Sequence, residues 1–379
     1  MRFEFATATR ILFGEGVARE VPAAAAAMGR RALVVTGSKP ERAAPWVAGL
    51  ESATFAVAGE PTVELIRTGA DYARLERCDV VVAIGGGSAI DAGKALAAML
   101  TNPGDPLDYL EVIGRGRPLD RMPAPFIAIP TTAGTGSEVT RNAVLASTEH
   151  RVKASLRHAW MLPRLAVVDP ELTQELPRNV TASTGLDALT QLIEPYVSVR
   201  ANPMTDVFCT DGIKRAAAAL PRLWDDPGDR EARSDMAWAS LLGGLALANA
   251  GLGAVHGFAA PVGGMFPAPH GAVCAAVLPH AMEINIRALR ARAGGSIALR
   301  RYGEIARLLT ARPDARAEDG AQWAARICRK LEIPPLATYG VTAAHIPDLV
   351  AKAAQASSMK GNPIALTPDE LGEMITRAV

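Results

Sequence analysis

The chain has 379 residues, of which 49% are hydrophobic and 21% charged, so its length suits two globular domains and its composition excludes intrinsic disorder. Lysine and arginine number 40 against 39 aspartates and glutamates, and this balance excludes the strongly basic surface of a nucleic-acid-binding protein. The four cysteines stand far apart and form no C-x-x-C pair, which predicts reduced thiols in a cytosolic protein rather than a disulfide framework.

The first half of the chain alternates short apolar runs with helix-like segments. The runs predicted as strands are residues 32–35, 54–58, 79–84 and 126–130. The segments predicted as helices are 40–50, 61–76 and 88–99, the last with Ser88 as its N-cap. The run from Asp79 to Ile84 is continuous and rich in valine, as expected of a strand buried on both faces. This alternation predicts a parallel sheet covered by helices.

A glycine run follows the third of these strands and opens the next helix. Gly85-Gly86-Gly87-Ser88 lets backbone N–H groups approach an anion at a helix N-terminus, an environment that suits the pyrophosphate of a dinucleotide. The spacing is not G-x-G-x-x-G, and a tight turn without a ligand is the alternative. A second loop of small residues, 131–137, follows the next strand, which favours a ligand site at one edge of the sheet.

The residue types at the end of the first strand bear on the choice of cofactor. Thr36-Gly37-Ser38-Lys39 contains no carboxylate to bind the 2′-hydroxyl of NAD, and Ser38 and Lys39 could accept a 2′-phosphate. This predicts NADPH in preference to NADH, with either cofactor possible. The candidate nucleotide-binding residues are Gly37, Ser38, Lys39, Gly85, Gly86, Gly87, Ser88, Asp91, Thr131, Thr132, Thr135 and Ser137.

Beyond Asp169-Pro170 the β-branched runs stop and alanine- and leucine-rich segments of helical length follow. These segments are residues 184–198, 204–220, 230–250, 296–309, 321–331 and 344–357. The change predicts an α/β domain over residues 1–178 and an all-helical domain over 179–379. Residues 236–282 carry no aspartate, glutamate, lysine or arginine, but their prolines and histidines argue against a membrane helix and favour a buried helix followed by an uncharged loop. The N-terminus has no long apolar segment, so no secretory signal is predicted.

Four side chains in the second half form a candidate metal site. Asp187 and Gln191 lie four residues apart, which on a helix places both on one face. His256 and His270 flank the predicted loop. One aspartate and two histidines could hold Zn²⁺ or Fe²⁺ and leave a position open for substrate. The alternative is that the aspartate caps a helix and the histidines are ordinary core residues.

Several motifs in order along the chain resemble the iron-containing (group III) alcohol dehydrogenase family, within the dehydroquinate synthase-like superfamily. They are Gly85-Gly86-Gly87-Ser88 with Asp91 and Lys94, residues 130–138, Val168-Asp169-Pro170-Glu171-Leu172, Thr184-Gly185-Leu186-Asp187-Ala188-Leu189, His256, Pro269-His270-Gly271 and Asn362-Pro363. The resemblance implies an α/β dinucleotide-binding domain with a parallel sheet, an all-α metal-binding domain, a small alcohol or carbonyl substrate, and a homo-oligomer. It also implies that Asp187, His256 and His270 are catalytic through a metal.

The chain departs from the family pattern at two positions. Where the family has a histidine four residues after the metal-binding aspartate, this chain has Gln191, which is a weaker, neutral ligand. This change makes specificity for Fe²⁺ less secure and favours Zn²⁺ or weak occupancy of the site. Where many members have a proton-relay histidine four residues after the first ligand histidine, it has Ala260. Protons would then pass through water or the cofactor ribose.

Three functional hypotheses follow. The first is metal-assisted hydride transfer between an alcohol and its aldehyde or ketone, with NAD or NADP, at an apolar pocket formed by Phe258, Met265, Phe266 and Trp160. The second is a lyase or cyclase that uses NAD transiently, as dehydroquinate synthase does, with Arg141, Lys153 and Arg157 binding a phosphorylated substrate. The third is a degenerate member that binds nucleotide but no metal.

Overall fold

The computed structural model of the chain describes residues 2–150 and 152–379, which form two units. The α/β unit comprises Ala6–Thr132 and Gly136–Gln174, and the helical unit comprises Glu175–Val379 with Ala133–Thr135 and residues 2–5. The fold class predicted from the sequence is confirmed: a parallel sheet lies in the first unit and helices dominate the second. The division of the chain into domains of residues 1–178 and 179–379 stays a prediction.

The described residues of the α/β unit form a six-stranded sheet in the order β1-β8-β5-β4-β2-β3, and every neighbouring pair is parallel. Its strands are Ile11–Phe13 (β1), Ala32–Thr36 (β2), Ser52–Ala56 (β3), Val80–Gly85 (β4), Phe126–Pro130 (β5) and Leu165–Val168 (β8), with an antiparallel hairpin of Asn142–Ser147 (β6) and Val152–Arg157 (β7). The helices of this unit are Val21–Ala26 (α1), Val63–Leu75 (α2), Gly87–Thr101 (α3) and Pro106–Tyr109 (α4).

Both faces of the sheet are buried. Along β4, Val81 and Ala83 join one apolar core, whereas Val80, Val82 and Ile84 join another. Successive strand side chains point to opposite faces, so a strand between two cores must be apolar at every position. This explains why the run from Asp79 to Ile84 lacks polar alternation.

The helical unit is built from helices with clear end signals. They are Arg178–Val197 (α5), Pro203–Asp225 (α6), Arg230–Ala250 (α7), Ala254–Met265 (α8), His270–Arg292 (α9), Ile297–Thr310 (α10), Ala317–Lys330 (α11), Ile346–Gln355 (α12) and Pro368–Ala378 (α13). Helix α7 has the predicted bounds because Asp229 caps it by accepting a hydrogen bond from the Ala232 amide, and Gly251, at φ +73°, ends it.

Three local predictions were wrong. Residues 40–50 form only two short 3₁₀ turns, since Pro45 has no N–H to donate within a helix. The residue that caps α3 is Gly86 rather than Ser88. The uncharged stretch expected to form a loop contains helix α8, which places His256 on a helix rather than at the edge of a loop.

The long apolar segment also bears on the membrane prediction. Among the described residues, α9 alone is long and apolar enough to cross a bilayer, and 78% of its apolar window is buried inside the protein. Helices α7 and α8 meet this standard only as a pair, and they are bent by 99° with respect to each other. Core helices of soluble proteins meet the same standard, so this is weak evidence for a membrane span.

A buried acid in the α/β unit makes stability depend on pH. Glu138 is 2% exposed, and burial raises its pKa to about 7, against the opposing effects of a backbone hydrogen bond and Lys94. The folded protein therefore holds a proton that the unfolded chain, with a pKa near 4.5, releases. The stability contributed by this proton is complete below pH 4.5 and is lost as the pH rises through 7.

Replacing Glu138 with glutamine is expected to remove this dependence. The shift in pKa from 4.5 to about 7 corresponds to about 3 kcal/mol. Between pH 5 and pH 8, wild type should therefore lose about that much unfolding free energy through Glu138, and the variant should not. Denaturant unfolding of both proteins at the two pH values measures the difference. The exposed Glu41→Gln change is the control, and parallel pH profiles of E138Q and wild type would contradict the expectation.

Candidate metal centre and nucleotide site

Helix α5 carries three buried polar side chains on one side. Asp187, Gln191 and Glu194 are 1%, 2% and 6% exposed. Their spacing of four and three residues brings neighbouring Cβ atoms within about 5–6 Å of one another. Small residues let other helices pack closely on α5: a Cβ added at Gly243 of α7 would lie 3.3 Å from the Ala188 carbonyl.

His256 is oriented by Glu194. The imidazole Nδ1 donates a hydrogen bond of 2.6 Å to Glu194 Oε2, and the other carboxylate oxygen accepts one of 2.7 Å from the Val255 amide at the start of α8. Because Nδ1 carries the shared proton, the Nε2 lone pair is free to face Asp187. Glu194 is a residue that sequence reasoning missed, although its place seven residues after Asp187 was a usable signal.

His270 begins helix α9, and Cys274 follows one turn later. Cys274 is fully buried, whereas 34% of the His270 side chain is exposed. Close packing of α9 on α5 requires a glycine at position 271, because a Cβ at Gly271 would lie 2.7 Å from the Ser183 carbonyl oxygen of α5. Sequence reasoning missed Cys274, and the only signal was its helical spacing from His270.

The structure brings four of these side chains together. The candidate ligand atoms of Asp187, His256, His270 and Cys274 all lie within 4.8 Å of one another. Asp187 Oδ1 is 3.2 Å from His256 Nε2 and 3.8 Å from His270 Nε2. Cys274 Sγ is 3.8 Å and 3.7 Å from the same two nitrogens. Helix α5 and the consecutive helices α8 and α9 thus contribute to one cluster.

The cluster fits a divalent metal by a test independent of the family resemblance. Asp187 Oδ1 and Gln191 Oε1 are buried and make no hydrogen bond. A buried carboxylate oxygen without a partner is costly, since it loses hydration and gains nothing in return. A cation among the ligand atoms of Asp187, His256, His270 and Cys274 would satisfy Asp187 Oδ1, as carboxylate and imidazole are ordinary ligands of Zn²⁺ and Fe²⁺.

The electrostatics of the cluster favour positive charge. Burial raises the pKa of Asp187, but His270 and His256 outweigh this and hold its pKa below the usual value. Burial lowers the pKa of His270, but Cys274 and Asp187 outweigh it and raise the pKa to about 9. The pKa of His256 is raised in the same way by Cys274 and Glu194. The positive charge that the cluster favours can come from a proton or from a metal ion.

Gly271→Ala is expected to weaken the cluster through packing alone. The added methyl group must push α9 away from the Ser183 carbonyl, which cannot move as a flexible side chain could. We expect a loss of about 1–3 kcal/mol in unfolding free energy and weaker metal binding, because His270 and Cys274 begin the same helix. Chemical unfolding and metal titration measure the two effects. Gly295→Ala, with no atom within 4 Å of the added Cβ, is the control; equal behaviour of both variants would contradict the expectation.

The glycine loops lie at the carboxyl ends of neighbouring strands. Strands β5, β4 and β2 are adjacent, and Gly85 ends β4 opposite Pro130 of β5. A Cβ at Gly85 would lie 3.4 Å from the Gly37 nitrogen, so the two loops come very close where the chain leaves β2 and β4. β3 and β4 flank β2 on opposite sides, which makes this the switch point where open α/β sheets bind nucleotides.

The other residues predicted to bind the nucleotide differ in their contacts and in their exposure to solvent. Asp91 accepts hydrogen bonds from the Ser137 hydroxyl and, at 2.9 Å, from the Val144 amide, and it pairs with buried Lys94 at 3.3 Å. These contacts tie α3 to the second loop. Gly86, Gly87, Ser88, Thr131 and Thr132 line the half-buried strand ends, Ser38 and Lys39 are exposed, and Thr135 belongs to the helical unit.

The remaining candidate residues are less suited to a binding site. Phe258 is fully buried as a core residue, and Trp160 is 43% exposed against the edge of His158. Of the basic residues proposed for a phosphorylated substrate, Lys153 pairs with Glu60 at 3.2 Å and Arg157 with Glu111 at 3.4 Å. These ion pairs do not favour the lyase hypothesis.

Comparison with known proteins gives a consistent result over the whole chain. Residues 8–170 match the family described as iron-containing alcohol dehydrogenase, and residues 181–379 match the C-terminal family of Fe-containing alcohol dehydrogenases. The NAD-dependent methanol dehydrogenase of Bacillus methanolicus is 34% identical over 97% of both chains, and the choline dehydrogenase of Bacillus subtilis is 36% identical over 83% of this chain and 78% of its own length.

Solved structures agree with this result. A 1,3-propanediol oxidoreductase superposes with a TM-score of 0.90 at 32% identity, covering 100% of both chains. The sulfoacetaldehyde reductase of Bifidobacterium kashiwanohense, determined in complex with NAD⁺, superposes with a TM-score of 0.85 at 30% identity, covering 99% of this chain and 98% of that one. The names of these proteins cover several substrates.

Proposed function

Because this chain belongs to the iron-containing alcohol dehydrogenase family and is an NAD(P)-dependent alcohol oxidoreductase, we propose that Asp187, His256 and His270 hold the divalent metal at which it interconverts a small alcohol and its aldehyde or ketone. The observation that carries the proposal is Asp187 Oδ1, which is buried without a hydrogen bond and lies 3.2 and 3.8 Å from two imidazole nitrogens.

When bound, the metal supplies Lewis-acid polarisation of the substrate oxygen and the nicotinamide supplies the hydride carrier. Asp187 provides negative charge at the centre of the site, and Glu194 fixes the proton on His256 Nδ1 so that Nε2 keeps its lone pair. Ala260 offers no proton relay. The substrate proton would therefore pass to water or to the cofactor ribose, and the 34% exposed side chain of His270 is the open side of the cluster.

The direct test is turnover. Protein purified without chelator and supplied with Zn²⁺ or Fe²⁺ should oxidise NADH or NADPH in the presence of small aldehydes. His280→Gln, on α9 but outside the cluster, serves as the histidine control and should keep activity. No turnover and no cofactor binding across a broad panel of carbonyl compounds would refute the function, and a cofactor that returns to its starting redox state in each turnover would indicate a lyase.

We also propose that NADPH is the better cofactor. Ser38 and Lys39 are exposed just beyond β2, and no carboxylate stands at that strand end. Ser38→Asp is expected to lower kcat/KM for NADPH by about tenfold, or roughly 1.4 kcal/mol, because the new carboxylate repels a 2′-phosphate. kcat/KM for NADH should fall much less. A wild-type enzyme that clearly prefers NADH would contradict the proposal.

Two broader properties belong to the same proposal. The four cysteines are all free thiols, which supports a reducing, cytoplasmic location. The family resemblance supports a homodimer or a larger homo-oligomer, which light scattering on the purified protein would measure.

A further inference from the structure

We propose that Cys274 is a fourth protein ligand of the metal, bound as the thiolate, and that it gives the site a preference for Zn²⁺ over Fe²⁺. The inference rests on the proposed metal function and concerns a residue outside the predicted ligand set. Gln191 stands where the family pattern has an imidazole, and the thiol replaces that ligand from a different helix.

The distances fit a thiolate ligand. For Zn–N and Zn–S bonds of about 2.0 and 2.3 Å, tetrahedral geometry places neighbouring ligand atoms roughly 3.3–3.6 Å apart. Cys274 Sγ lies 3.8 Å from His256 Nε2 and 3.7 Å from His270 Nε2, and the Asp187 oxygen lies 3.2 and 3.8 Å from the same atoms. Shifts of a few tenths of an ångström bring these four pairs to tetrahedral spacing, and the two remaining pairs lie within 4.8 Å.

Hydrogen bonds account for the arrangement only if the imidazoles carry protons on Nε2. With each Nε2 unprotonated, the single proton of the thiol can be donated to only one of the two nitrogens that face Cys274. Asp187 Oδ1, 3.2 Å from His256 Nε2, then has no donor. In this protonation state, which metal binding requires, electron pairs on sulfur, oxygen and nitrogen meet in one buried space, as they do around a bound cation.

Charge balance favours Cys274 over Gln191. Asp187 and Cys274 are 1% and 0% exposed, and one carboxylate with one thiolate neutralises a divalent ion. A carboxylate with the amide of Gln191 would leave an uncompensated positive charge in the interior, which is unfavourable. The thiol proton leaves to solvent as the sulfur binds the metal. The exposed side of His270 leaves room for a substrate oxygen, since catalytic zinc can become five-coordinate.

The preference for zinc follows from the ligand set. Thiolate is a soft ligand that selects Zn²⁺ and Co²⁺ over Fe²⁺ more strongly than imidazole or an amide oxygen does. Removing Cys274 is expected to weaken Zn²⁺ binding by at least the roughly 10–100-fold that follows loss of a supporting residue. Fe²⁺ binding should change less, so the ratio of the two affinities should fall.

The experiment is spectroscopy of the full-length protein loaded with Zn²⁺ or Co²⁺. X-ray absorption of the zinc form should show one sulfur at about 2.3 Å among nitrogen and oxygen ligands. The cobalt form should show a thiolate-to-metal charge-transfer band in the near ultraviolet. Cys274→Ser should lose both signals. Cys328→Ser, which keeps a donor for the Ala275 carbonyl, should retain them.

The outcomes separate this inference from the function on which it rests. Bound metal without a sulfur signal in the wild-type protein, or a signal that survives in C274S, overturns the role of Cys274 while the metal function stands. Failure of the wild-type protein to bind either metal overturns both. The wild-type spectra decide the question even if C274S does not fold.

Discussion

Asp187→Asn is expected to remove tight metal binding and to lower kcat/KM by on the order of 10³-fold, or about 4 kcal/mol, with the chain still folded. Asparagine keeps the shape of the side chain but removes the negative charge at the centre of the cluster. Asp187 Oδ1 makes no hydrogen bond, so the neutral amide breaks no existing hydrogen bond of that atom. Steady-state kinetics with metal analysis of the purified variant measures both losses.

The control for this prediction is Asp211→Asn. Asp211 lies on α6 and pairs with Arg215 at 3.0 Å, and its side chain is 44% exposed. The two variants have the same chemical change in different settings, so only D187N should lose metal. D187N with the metal content and activity of wild type would refute the assignment of Asp187.

Glu194→Ala is expected to reduce metal affinity by about 10–100-fold and unfolding free energy by roughly 3 kcal/mol. Glu194 is not itself a candidate ligand. It accepts hydrogen bonds from His256 Nδ1 and the Val255 amide, and its removal would leave both donors buried without a partner. Isothermal titration with Zn²⁺ and chemical unfolding measure the two effects.

Glu194→Gln separates orientation from packing. Its amide oxygen can still accept from Val255, but its NH₂ group opposes the proton on His256 Nδ1 and disfavours the ring tautomer that binds metal. We expect most of the stability to return and most of the loss in metal affinity to remain. Glu283→Gln, on the exposed side of α9, is the control. Full recovery of metal affinity in E194Q would show that Glu194 acts only through packing.

The sequence predicted those parts of the fold that local chemistry determines. Strand β4 was evident from its continuous apolar run, and α7 from its helical length and its alanine- and leucine-rich composition. Strands β1 and β8 were missed, since each has three or four residues and β1 gains its hydrogen bonds only by pairing with β8, about 150 residues away. Such strands carry little local signal.

In the candidate site, too, the sequence predicted some residues and missed those whose role depends on tertiary packing. Asp187, His256 and His270 were proposed from residue type and family pattern, and the structure places their ligand atoms together. Cys274 and Glu194 were missed because their roles depend on how α5, α8 and α9 pack, which spacing along one helix does not reveal. The side-chain oxygen of Gln191 is buried and makes no hydrogen bond. Binding of the metal by Gln191 stays a prediction.

One helix, α5, carries both Asp187 and the carboxylate that orients His256. An ion bound by the proposed ligands would therefore link α5 to α8 and α9, and local opening of α5 would remove one ligand and misalign another in a single event. Pro195 lies in the same turn and cannot donate to the Gln191 carbonyl, so the helix has one fewer internal hydrogen bond beside the site. Occupancy of the site and rigidity of this segment are thus thermodynamically linked: whatever loosens the helix releases the ion, and the ion in turn protects the helix.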